Sequence, residues 1–175
     1  LGVRPVVGTT GLKEEHLKEI KELAEEKGIA CLVIPNFSVG AVLMMHFAKT
    51  AARFFKDVEI IEMHHETKKD APSGTALKTA EMILEERGFK HQGPEKEAEK
   101  LPGARGGDIE GMKIHSIRLP GLVAHQEVLF GSLGETLTIR HDTYDREAFM
   151  QGIQLAVEEA MNLKGYVYGL ETLLL

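Results

Sequence analysis

The chain has 175 residues, 43% of them hydrophobic and 27% charged, with a formal net charge of −6. These values suit a water-soluble globular chain of one or two domains, and the acidic balance argues against a nucleic-acid surface as the main role, since phosphate binding needs a basic excess, although local clusters such as Lys68 and Lys69 can still hold a small anion. No apolar stretch approaches the roughly 20 residues that span a bilayer, no signal peptide is visible, and the single cysteine permits no disulfide within one chain, so a cytoplasmic protein is expected.

Residues 4–56 alternate strand and helix signals. Val6-Val7 is a short apolar run closed by Gly8-Thr9-Thr10-Gly11. Lys13–Lys27 then sets Leu17, Ile20, Leu23 and Ala24 on one helical face, with Gly28 as the expected stop. Ile29–Ile34, which contains Cys31, reads as a second, buried strand ended by Pro35-Asn36. Ser38 is the expected N-cap of an apolar helix running to Phe55. This order implies parallel pairing, as in a doubly wound α/β sheet. The turns after Val7 and Ile34 then lie at strand C-terminal ends, where such sheets bind ligands.

From Val58 the pattern changes. A strand over Val58–Met63 leads into a polar block and a helix over Pro72–Arg87. A polar stretch of Gly88–Gly111 follows, then strand-like runs at Lys113–Leu119, Ala124–Phe130 and Thr136–His141, and a last helix over Arg146–Leu163. Successive strands with helices set to one side suggest an α+β second domain. The expected division is 1–37 for the remainder of a nucleotide-binding domain, with the C-terminal helix of the chain a candidate to pack back on it, and 38–165 for a substrate and assembly domain. Residues 166–175 are expected as a tail.

The chemistry concentrates in Glu62–Ala76, EMHHETKKDAPSGTA. Histidine suits proton transfer near neutral pH, and His64 and His65 can line one cleft only if the strand ends there. Lys68 offers a second proton or holds a carboxylate. Asp70-Ala71-Pro72-Ser73-Gly74-Thr75 reads as a turn entering a helix, with Pro72 at an early helical position. The free N–H groups of such a start make an anion site, to which the Thr75 hydroxyl adds a donor. A plain helix cap is the bland alternative for Ser73-Gly74-Thr75. A metal held by His64, His65 and Glu66 is the rival chemistry. Adjacent histidines chelate poorly, however, and the lysines repel a cation. No Gly-x-Ser-x-Gly elbow surrounds Ser73, which disfavours it as a nucleophile. The block suits an anionic substrate that must be protonated.

VGTTG (7–11), PNFSVG (35–40), HHETKKDAPSGTA (64–76) and SIRLPGLVAHQEVLFG (116–131) together resemble the dihydrodipicolinate reductases, nicotinamide-dependent enzymes of the diaminopimelate route to lysine. The resemblance implies a partial Rossmann-like dinucleotide-binding domain joined to an α+β substrate domain whose mixed sheet builds a homotetramer. It implies His64 as proton donor/acceptor, Lys68 as second proton donor, and His65, Gly74 and Thr75 as substrate-binding residues. Gly8, Thr9 and Thr10, with Ile34, Pro35, Asn36 and Phe37, match segments that contact NADH or NADPH. The implied reaction reduces a C4-hydroxylated tetrahydrodipicolinate, with loss of water. The sequence departs from the family in one respect: no two glycines are spaced G-x-G, the phosphate-loop fingerprint. With Leu1 in place of Met, the expectation is that an upstream piece is missing and that the later part of the cofactor domain is kept. The alternative is a non-catalytic module, derived from the same fold, that binds a dicarboxylate or mediates assembly.

Overall fold

A computed structural model describes residues 2–9 and 11–175. The chain divides into two compact units, residues 1–42 with 146–175, and residues 43–145.

The first unit is built on a three-stranded parallel sheet. Val6–Val7 (β1) pairs with Cys31–Val33 (β2), and β2 pairs with Tyr166–Tyr168 (β8). Between β1 and β2 runs helix α1, Glu14–Lys27. It stops where the sequence indicates: Gly28 takes φ 61°, a left-handed conformation that costs glycine little, and its N–H returns to the last-turn carbonyls. Strand β2 is buried along its whole length, which explains its unbroken apolar run. Cys31 lies within it, and burial pushes its thiol above the ordinary range. A helical turn at Arg146–Phe149 leads into helix α4, Met150–Asn162. The last ten residues hold β8 and a short helix, α5, at Glu171–Leu174. The sequence reading finds neither, because a three-residue strand between Gly165 and Gly169 is too short to show a period.

Helix α2, Val39–Ala51, contains the boundary between the units. The Ser38 hydroxyl accepts from the Ala41 N–H at 3.3 Å, as a cap at this position should. The helix ends at Ala51, four residues before the expected stop, and residues 52–54 form a turn.

The second unit is a five-stranded mixed sheet in the order β4-β5-β3-β6-β7. Its strands are Asp57–His64 (β3), Gly107–Ile109 (β4), Met112–Arg118 (β5), Ala124–Ser132 (β6) and Glu135–Thr143 (β7). β3 runs parallel to β5, and all other pairs are antiparallel. β4 falls inside the stretch read as merely polar; its residues are mostly exposed and carry no alternating apolar signal. On one face Val58, Ile60, Met112, Ile114, Val128 and Phe130 pack with Ala48 and Ala52 of α2 and with Ala76, Ala80 and Ile83 of helix α3, Gly74–Arg87. The alternate residues of the strands form the second face, which mixes apolar residues such as Ile61, Met63 and Leu129 with charged ones. There Glu59 takes Arg105 and His115, and Asp142 takes Arg140 and His125. No helix among the described residues is long and apolar enough to cross a membrane.

Candidate active site

Strand parity sets the centre of the site. β3 buries every second residue, and the even positions Val58, Ile60 and Glu62 point to the helix side. His64, two residues beyond Glu62, shares that face. β3 ends at His64, so His65 is freed from the alternation. Leu119 N–H still bonds to the His64 carbonyl at 3.1 Å and closes the strand end.

Glu62 is fully buried, and such a carboxylate requires partners. Arg118, opposite His64 on the parallel neighbour β5, supplies a fork: Nη1 donates to Oε2 at 2.9 Å and Nη2 to Oε1 at 2.8 Å. His64 Nδ1 lies 2.5 Å from Oε2. Burial alone would raise the Glu62 pKa, but hydrogen bonds from Arg118, Ser116 and His64 outweigh it and hold the carboxyl below its ordinary range. His64 is pushed below the usual histidine value, first by burial and then by the charges of Lys68 and Arg118; Glu62 opposes the shift without cancelling it. An ionised carboxylate only accepts hydrogen bonds, so the proton of a neutral His64 belongs on Nδ1, facing Glu62. Nε2 is then left as the acceptor.

The turn after β3 carries the remaining groups. His65 is exposed, and its Nδ1 lies 2.7 Å from the Thr67 hydroxyl. The Lys68 ammonium bridges both Asp70 oxygens, at 2.7 and 2.8 Å. Asp70 is held below the ordinary carboxylate range, chiefly by that lysine. Arg118 Nη2 also donates to the Asp70 carbonyl at 2.7 Å, so one guanidinium holds both the strand and the turn.

Ser73, not Pro72, begins the next helix. Pro72 follows a cis peptide bond outside the helix, which corrects its expected helical position. Ser73 is the N-cap, its hydroxyl accepting from Ala76 N–H at 3.2 Å. The N–H groups of Gly74 and Thr75 in the first turn have no intrahelical acceptor. Gly74 is exposed and Thr75 half-buried. Behind them Gln126 donates to the Thr79 hydroxyl, which donates to the Thr75 carbonyl, both at 2.7 Å. The helix start is therefore both a cap and a rigid, open set of donors.

The candidate cofactor residues all lie in the first unit. Ile34 N–H bonds to the Val7 carbonyl at 2.9 Å, which sets the turns after β1 and β2 side by side. A Cβ on Gly8 would stand 2.8 Å from the Phe37 ring, so only glycine permits that approach. Gly8 and Thr9 are exposed, and Pro35, Asn36 and Phe37 are half-buried. Ile34 is fully buried, leaving its backbone as the part available to a ligand. Asn36 Oδ1 accepts from Ser38 N–H at 2.9 Å and fixes the second turn. Thr10 lies outside the described residues.

Two family models match the chain in succession: "Dihydrodipicolinate reductase, N-terminus" over residues 1–37, and "Dihydrodipicolinate reductase, C-terminus" over residues 40–174. The chain belongs to the dihydrodipicolinate reductase family. A 4-hydroxy-tetrahydrodipicolinate reductase of Bacillus pumilus (strain SAFR-032) is 62% identical over 173 residues, covering 99% of this chain and 65% of the relative. The enzyme of the same name from Bacillus subtilis (strain 168) is 61% identical with the same coverage. A solved dipicolinate-bound dihydrodipicolinate reductase from Paenisporosarcina sp. TG-14 superposes with a TM-score of 0.91 at 55% identity, over 97% of this chain and 64% of that one. The chain thus spans about 65% of the length of the curated relatives it matches. The reductase names do not favour a non-catalytic module.

Within this dihydrodipicolinate reductase fold, sequence reasoning gave Glu62 and Arg118 no role. A signal was present for Glu62: it shares parity with His64 and with the apolar Val58 and Ile60, which marks a charge on the buried face. Arg118 has no such local mark, because its partners come from another strand and a turn.

Proposed function

We propose that this chain supplies the substrate site and the proton-transfer groups of a 4-hydroxy-tetrahydrodipicolinate reductase. The enzyme reduces the C4-hydroxylated cyclic dicarboxylate to tetrahydrodipicolinate, with loss of water and with NADH or NADPH as cofactor. The observation that carries this reading is one short segment holding a histidine and a lysine fixed by carboxylates, His64 and Lys68, ahead of an open helix start at Gly74-Thr75.

Each group has a stated task. The Gly74 and Thr75 N–H groups and the Thr75 hydroxyl hold one carboxylate, as a helix N-terminus does, and exposed His65 contacts the same substrate. Lys68 carries the proton that the reduced ring must gain. His64 accepts and returns a proton at Nε2, a role suited to a ring that is neutral at neutral pH.

The residues proposed to hold the cofactor are Gly8, Thr9, Thr10, Ile34, Pro35, Asn36 and Phe37. Bare backbone at Gly8 beside the Phe37 ring, at the C-terminal ends of two parallel strands, fits a flat nucleotide ring. When bound, the cofactor supplies the hydride. The assembly proposed is a cytoplasmic homotetramer formed through the mixed sheet.

Calorimetry with pyridine-2,6-dicarboxylate tests the substrate site directly. The parent chain is expected to bind, and Lys68→Ala and His64→Ala at least tenfold more weakly. A folded parent that binds none sinks the reading. In a chain extended to carry a phosphate loop, Lys68→Ala is expected to lower kcat by about 10²–10⁴-fold, the range of a general acid.

A further inference from the structure

We infer that Glu62 and Arg118 form a buried positioning pair that fixes the tautomer and ring orientation of His64 and the placement of Lys68. The inference deepens the proposed function and rests on its assignment of His64 and Lys68 as proton carriers.

Three observations carry it. First, Glu62 is fully buried with its carboxylate oxygens engaged: Oε1 by Arg118, Oε2 by Arg118 and His64 Nδ1. A buried charge so fully engaged holds its partners rigidly, because any rotation would strand it without a donor. Second, the geometry fixes which ring nitrogen of His64 is spent. Nδ1–H faces the carboxylate, so Nε2 alone is left for proton exchange, as in other histidines oriented by a buried acid. Third, Arg118 does not stop at Glu62. Nη1 also donates to the Ile117 carbonyl at 2.8 Å and Nη2 to the Asp70 carbonyl at 2.7 Å. Asp70 in turn holds the Lys68 ammonium. The fork therefore spans β3, β5 and the turn, and sets the spacing between the two proton carriers. Lysine, with one nitrogen, cannot reproduce such a span.

Glu62, Lys68 and Arg118 act on His64 directly; Ser116 on β5 bonds Glu62 behind it, and Asp70 on the turn holds Lys68. Among them Glu62 is the carboxylate in contact with the ring.

The test reads the His64 ring by long-range ¹H–¹⁵N spectra of this chain labelled at histidine, near neutral pH. The His64 signals are those that vanish in His64→Gln. The parent is expected to show Nδ1 protonated and Nε2 bare, with at least a tenfold bias between tautomers. Glu62→Gln is expected to lower that bias at least tenfold, whereas Glu62→Asp keeps the carboxylate and restores part of it. A parent ring protonated at Nε2, or an unchanged ratio in folded Glu62→Gln, overturns the inference. Should the buried amide prevent folding, Arg118→Lys keeps the charge and loses the fork. It is expected to lower the bias at least threefold, and no change there also overturns the inference. Pyridine-2,6-dicarboxylate binding reports separately on the function itself, so the two failures are distinguishable.

Discussion

At Gly74 the space beyond the backbone is open: a Cβ there meets nothing within 4 Å. The fold therefore does not require this glycine. Its substitution by alanine in a helix ordinarily stabilises by about 0.4–1 kcal/mol. If the residue instead keeps the helix start bare for a carboxylate, Gly74→Ala should hold or raise the unfolding midpoint while weakening pyridine-2,6-dicarboxylate binding about tenfold. Thermal unfolding and calorimetry on one preparation decide it, and unchanged affinity would remove Gly74 from the site. The residue types of this segment were legible in the sequence because side chains able to carry protons, groups able to hold an anion and turn formers stand within fifteen consecutive positions. The direction in which each side chain points was not. His64 was ambiguous until the end of β3 was known, and the cap fell on Ser73 because Pro72 precedes the helix.

Elements in the first unit are held by one close approach that no local rule announces. In helix α4 a Cβ on Gly152 would stand 2.0 Å from the Phe37 carbonyl oxygen and 3.0 Å from Leu170. Helix propensity alone says that Gly152→Ala should stabilise by about 0.5–1 kcal/mol. Packing says the reverse, since the methyl group would have to displace backbone, a cost of at least about 1–3 kcal/mol. We expect packing to win, with a lowered urea midpoint and a disturbed turn at Phe37. A raised midpoint would show that α4 stands off the β2–α2 turn. The longer helices of both units were legible, as with Lys13–Lys27 against the observed Glu14–Lys27, whereas the four-residue α5 was not. The strands β4 and β8 were not, since three residues cannot display a period and their pairing partners are set by tertiary structure.

Taken over the whole molecule, the titrating groups make acid destabilising, and the signs can be followed one by one. His64 and His141 are both pushed below the ordinary 6.5, foremost by burial, so the unfolded chain binds protons first as pH falls. Their contribution is lost progressively below that value. Glu62 and Glu59 stand below 4.5, burial being outweighed by Arg118 for the first and by Arg105 and His115 for the second; Asp142 stands below 3.8, chiefly through Arg140. The stability they confer is present above those values and vanishes as pH drops through the folded-state ones. A urea midpoint followed by circular dichroism should therefore fall between pH 7 and 5, then more steeply below about pH 4. His64→Gln should flatten the upper part. A midpoint that stays level or rises from pH 7 to 5 would contradict the assignment. The alternation of strands and helices announced two kinds of sheet, but the sequence order hid that β8, in the stretch expected as a tail, pairs with β2.

That return of the chain has a consequence for synthesis. The sheet β1-β2-β8 takes two strands from before the inserted unit 43–145 and its third from after it. On a ribosome the inserted unit has all its strands and helix α3 in hand before Tyr166 emerges, because domains assemble largely as they are released. Holding β2 open for so late a partner costs little at equilibrium, since closure entropy grows only with the logarithm of the loop, but it delays assembly. The segment proposed to handle protons is thus complete first, and the sheet proposed to receive the nucleotide is the last to close.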